Sequence, residues 1–162
     1  MPLVPSYIKN LSSYKPGLRI DDVKYEKGLD RAIKLASNEN SMGPAPLAIA
    51  AIESAMEKVN RYPDSNGIAL RNKLAKKFNV KIENVIIGAG SEGIMSNILR
   101  TFLLGDDEIV AAANSFIGFR VLANSTGRSI HWVPMKNHRI NLGGIAKKIN
   151  DYTKIIYVAN PD

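Results

Sequence analysis

Apolar residues recur along this chain with helical spacing at first and then in an alternating block pattern. Leu47, Ala48, Ala51, Ile52, Ala55, Met56 and Val59 fall three or four apart, which predicts an amphipathic helix over 46–59. Pro46 suits the first turn, where a backbone N–H has no helical partner. Leu70, Leu74 and Phe78 mark one face of a second helix. From residue 84 short apolar runs alternate with helical ones. The pattern predicts strands at 85–87, 108–112, 129–134 and 154–159. Between them it predicts helices at 91–104, with Ile94, Ile98 and Phe102 on one face, at 116–126, ended by Gly127, and at 141–150. Strands alternating with helices imply an α/β fold: a mostly parallel sheet with helices on both faces, three layers in all. Residues 1–31, rich in Pro, Tyr, Lys and Asp, read as an irregular N-terminal arm, leaving 32–162 as the α/β domain. There is no internal repeat and no low-complexity segment.

Composition narrows the class without naming it. Of 162 residues, 45% are hydrophobic and 23% charged, enough apolar material for a packed core. The net charge is +7, but the basic residues are scattered. Their densest group, Arg71, Lys73, Lys76, Lys77 and Lys81, lies on a helical segment with apolar residues between and reads as a solvated face. No nucleic-acid motif accompanies it, so no nucleic-acid partner is expected. The absence of cysteine excludes disulfides, thiolate metal sites and a cysteine nucleophile. The amino terminus has no apolar signal region and no run approaches a membrane span, so a cytoplasmic protein without membrane association is expected. His131 and His138, seven apart with no carboxylate cluster beside them, do not make a metal site.

The chemistry concentrates in Val85-Ile86-Ile87-Gly88-Ala89-Gly90-Ser91-Glu92-Gly93-Ile94, a G-x-G-x-x-G between a strand and a helix. A dinucleotide site also needs an acidic residue about 20 positions further on, at the end of the next strand, to hold a ribose hydroxyl. The residues there are Ala113, Asn114, Ser115 and Phe116, while Glu108 stands at the opposite end of its strand. An NADP-type arginine is missing too, unless Arg120 serves. What survives is a helix amino terminus built from small residues. The backbone N–H groups of Gly90, Ser91 and Glu92 would there face a single phosphate, favoured by the helix dipole. A plain tight turn with Ser91 as the N-cap is the alternative, and the two are compatible.

Three further clues stand in order along the chain. Leu35-Ala36-Ser37-Asn38-Glu39-Asn40 is followed by Gly43-Pro44; Arg61-Tyr62-Pro63-Asp64 is followed by Gly67, Leu70 and Arg71; Asn114-Ser115-Phe116-Ile117-Gly118-Phe119 follows a strand. Phe116 there could stack on a planar ring or be an ordinary core residue. Taken with GAGSEGI, these stretches resemble the histidinol-phosphate aminotransferase family of fold-type I pyridoxal-phosphate enzymes, over essentially the whole chain. The resemblance implies pyridoxal 5′-phosphate as cofactor and amino transfer to a keto-acid phosphate in histidine biosynthesis, with glutamate as the usual donor. It implies that Gly90, Ser91 and Glu92 hold the cofactor phosphate, that Phe116 stacks on its ring where the family often has Tyr, and that Tyr62 reaches the phosphate of the neighbouring subunit in a homodimer. Tyr14 matches a tyrosine near the substrate phosphate, and Asn38 and Glu39 match a loop lining the substrate pocket.

The family's chains are longer. Asn160-Pro161-Asp162 looks like the start of a segment continuing into Asn-Pro-Thr-Gly, and no lysine here matches the Schiff-base position. The resemblance therefore implies the incomplete first part of a fold-type I large domain, expected to be an excerpt of a longer protein and inactive by itself. The rival readings are another fold-type I enzyme (an aromatic transaminase or a phospho-amino-acid decarboxylase), a nicotinamide oxidoreductase, or a non-catalytic phosphate-binding module.

Overall fold

The computed structural model describes residues 3–12 and 17–160. They fall into two compact units: Met1–Tyr14 with Leu74–Asp162, and Lys15–Lys73.

The first unit holds the sheet. Strands β1 (Glu108–Ala112), β2 (Ile130–Val133) and β3 (Thr153–Tyr157) are parallel, in the order β2-β1-β3. Ile109 pairs with Ile130 on one side and Ile155 on the other, so β1 is central. A strand covered on both faces needs apolar residues at every position, and Ile109, Val110, Ala111 and Ala112 are all buried.

Helix α5 (Gly90–Phe102) precedes β1, α6 (Ile117–Ser125) links β1 to β2, and α7 (Leu142–Lys148) links β2 to β3. Ile109 and Ala111 pack with Leu99 and Leu103 at the end of α5 and with Phe119 and Ala123 of α6. Val110, pointing the other way, packs with Val133 and with Ile145 of α7. The crossovers from β1 to β2 and from β2 to β3 run in opposite directions across the sheet, and right-handed connections then put their helices on opposite faces. The expected α/β fold with three layers is present, with a parallel sheet.

Local chemistry sets the element ends. Gly127, at φ +69°, closes α6, and a Cβ there would lie 2.7 Å from the Tyr7 ring of α1 (Ser6–Lys9). Asn141 caps α7 by accepting from the Gly144 N–H at 2.8 Å. At the amino end of the sheet, Glu108 accepts from the Asn150 amide at 2.8 Å and pairs with His131 Nε2 at 2.7 Å.

The second unit contains α2 (Ile20–Lys27), α3 (Pro46–Ala55) with a 3₁₀ extension over Met56–Lys58, and the start of α4 (Ile68–Phe78). Asp64 accepts from the N–H groups of Asn66 at 3.0 Å and Ile68 at 2.8 Å, ordering the entry to α4. Those bonds, Ile68 first, hold its carboxyl below the usual range.

Four expectations need correction. The arm is not wholly irregular, since α1 and α2 lie within 1–31. Residues 85–87 belong to none of the strands, although Val85 has an extended backbone. Val85 is buried while Ile86 is 76% exposed, because no described strand lies beside them to complete a ladder. Helix α5 turns Met95 and Leu99 to the sheet, not the stripe Ile94, Ile98 and Phe102, whose last two members are exposed. In α4 it is Ala75 that is buried, while Leu70 and Phe78 are exposed, as is the apolar face of α3.

Candidate functional site

In an open parallel sheet the crevice opens at the carboxyl edge where the connections diverge, here between β1 and β3. The loop after β1 carries Phe116 and the one after β3 carries Asn160. Helix α5 returns to the amino end of β1, so its own amino end lies at the carboxyl edge.

That amino end suits an anion. The N-cap is Ala89, which has no side chain able to accept, and no side-chain cap bond is made. The alternative of Ser91 as cap is thereby overturned: Ser91 lies inside the first turn, after Gly90 at φ +69°. The Gly90 N–H is spent on the Gly88 carbonyl at 2.8 Å. The amides of Ser91 and Glu92 remain among those for which an α-helix supplies no acceptor, at its positive end. A Cβ at Gly88 would lie 2.8 Å from Ile94 Cδ1, so a side chain there would have to shift the end of Ile94.

Phe116 stands beside this turn. It is the N-cap residue of α6, with its side chain partly exposed. A Cβ added at Gly118 would clash with Glu92 Oε1 and lie 2.6 Å from Phe116 Cε1. Glu92, Phe116 and Gly118 are therefore neighbours, and Gly118 is the position sequence reasoning missed. Its signal was a glycine inside a helix, a poor helix former that indicates close approach.

Arg120, weighed above as a partner for a nucleotide phosphate, is committed elsewhere. Its guanidinium donates to the Ala113 carbonyl and lies 4.3 Å from the centre of the Trp132 ring. Glu108, held by Asn150 and His131, has its carboxyl kept below the usual range, Asn150 being the larger cause. Neither is available to a dinucleotide.

The remaining candidates belong to the second unit or lie outside the described residues. Asn38 follows Ser37, both at positive φ, in an exposed loop where Asn40 bonds to the Gly43 carbonyl and the Met42 N–H. Glu39 is paired with Lys34 at 2.6 Å. Tyr62 is fully exposed. All three belong to the second unit. Tyr14 lies outside the described residues.

The fold is that of the first part of the large domain seen in solved aminotransferase structures of fold-type I. The crystal structure of histidinol-phosphate aminotransferase from Sinorhizobium meliloti in complex with pyridoxal-5′-phosphate superposes with a TM-score of 0.84, at 24% identity, covering 100% of this chain and 43% of that one. Aspartate aminotransferase from Thermotoga maritima superposes at 0.75, with 19% identity, over 98% of this chain and 46% of its own.

Within that class the sequence resembles the N-terminal portion of histidinol-phosphate aminotransferase. It is 40% identical to the protein of that name from Anaeromyxobacter sp. (strain Fw109-5), over 100% of this chain and 45% of the relative. It is 39% identical to that of Caldicellulosiruptor saccharolyticus, over 96% and 43%. The chain thus spans less than half the length of the curated relatives it matches. No family model matches it.

Proposed function

We propose that this chain is the N-terminal part of a histidinol-phosphate aminotransferase and carries the pyridoxal-phosphate cradle of that enzyme. The uncapped amino end of α5 with Phe116 beside it carries this reading, in a sequence 40% identical to a protein of that name.

The groups present fit the cofactor. An open helix terminus takes a phosphate through the Ser91 and Glu92 amides, and Gly90, whose own amide is turned inward, leaves room for it. Phe116 would cover one face of the pyridine ring, fixing its tilt and shielding it from water. Lacking a hydroxyl, Phe116 does this by contact alone. Tyr62, solvent-exposed in one protomer, would reach the phosphate bound by its partner in a homodimer. Tyr14, Asn38 and Glu39 would line the pocket for the phosphorylated substrate. When bound, the cofactor supplies the electron sink that lets an amino-acid α-proton leave. No lysine of this chain is assigned to moving that proton, so the 162-residue polypeptide by itself has no turnover. In this reading the enzyme is cytoplasmic.

The test is a chimera joining this chain to the remaining portion of the Anaeromyxobacter relative. Amino transfer from glutamate to imidazole-acetol phosphate is expected, with little to unphosphorylated keto acids. Preference for an aromatic keto acid or oxaloacetate would instead assign the chain to another fold-type I transaminase.

A further inference from the structure

The partners of Arg120 tie the crevice loop to both its flanking strand and the sheet. It occupies the first turn of α6 yet reaches back over the 113–116 loop to the Ala113 carbonyl. The Ala113 N–H already donates to the Val133 carbonyl at 2.8 Å, extending the ladder one step beyond β1. In a parallel ladder the next donor to Ala113 would come from a continuing β2, but β2 ends at Val133, before Pro134. The guanidinium supplies that donor, and its face lies over Trp132, whose ring packs on the cluster of Ile109, Ala111 and Phe119. The loop between β1 and α6 is thus closed by a side chain anchored on the sheet. Phe116 is the last residue of that loop, and its carbonyl receives the Arg120 N–H at 3.4 Å.

We propose that Arg120 is a positioning residue for Phe116. By bonding to Ala113 and stacking on Trp132 it sets where the Phe116 ring stands in the crevice. Lysine cannot replace it fully, because the stacked, planar, multi-donor geometry belongs to the guanidinium. The proposal rests on the reading of Phe116 as a ring platform, so its test must separate ring binding from phosphate binding.

Two probes do this: pyridoxine 5′-phosphate, which has ring and phosphate but no aldehyde to react with surface lysines, and inorganic phosphate. Trp132 is the sole tryptophan, so its emission reports directly on the Arg120 stack. Arg120→Met is expected to change Trp132 emission and to weaken pyridoxine phosphate binding by roughly three- to tenfold, the size of a ring-stacking contribution. Inorganic phosphate should bind as before. Arg120→Lys, the milder change should the Met variant fold poorly, should lose part of the ring affinity. Altered emission with unaltered pyridoxine phosphate affinity in both variants would overturn the proposal and leave the cofactor reading intact. Equal wild-type affinity for the two probes would remove the ring platform, and with it both readings.

Discussion

At the residue scale the proposed phosphate site would depend on backbone donors, with Gly118 beside it. Ser91→Ala should leave phosphate affinity nearly unchanged, because the donor is the amide. Ser91→Pro removes that N–H at a position where a first helical turn tolerates proline. It should cost about tenfold or more in inorganic phosphate affinity by calorimetry, the scale of one hydrogen bond to a charged group. Gly118→Ala should move the exposed Glu92 and Phe116 side chains and change stability by no more than about 1 kcal/mol in urea titrations followed by Trp132 emission, since alanine also favours the helix. Ser91 and Glu92 could be put forward as phosphate donors from the sequence because an uncapped helix terminus has the same physics in any fold. The Gly90 amide was misread because its bond to Gly88 depends on a turn that no periodicity reports. The contacts of Gly118 and Arg120 were hidden for a related reason: they reach 26 residues back to Glu92 and 12 residues ahead to Trp132.

At the element scale, alternation between helical and extended spacing was enough to place α5 through β3 within a few residues of their observed ends. The pairing was hidden, and so was the stripe of α5 that faces the sheet. Residues 85–87 have a strand's composition, but a strand exists by its ladder, and none is completed there. In α5 two apolar stripes compete, and the one carrying Met95 and Leu99 faces the sheet because the chain must enter β1 with Leu103 inward. The Glu108 contacts join three elements: β1, β2 through His131, and the segment before β3 through Asn150. Since the folded state holds the Glu108 carboxyl below its ordinary value, this stabilisation is complete above the unfolded carboxylate range and is lost as pH falls through the folded value. Glu108→Gln should therefore flatten the acid side of the stability–pH curve, measured by thermal melts between about pH 3 and 6. An unchanged acid limb would show that the contacts contribute nothing.

At the scale of the whole molecule, large apolar side chains remain uncovered on the α7 side of β3, at Ile156 and Val158, and on α5 at Ile98 and Phe102. The chain spans 45% of a relative 40% identical to it. By itself the 162-residue polypeptide should self-associate, and Ile156→Lys should reduce that association in sedimentation velocity runs without changing the helical circular dichroism signal. The central claim, that the amino end of α5 is a cofactor-phosphate cradle, is most directly tested by ¹⁵N-resolved titration of the chain with pyridoxine 5′-phosphate. The account predicts the largest amide shifts at Ser91 and Glu92, with smaller ones around Phe116. Shifts confined to the opposite, amino end of the sheet, around Asp106 and Arg128, or none at saturating ligand, would contradict it.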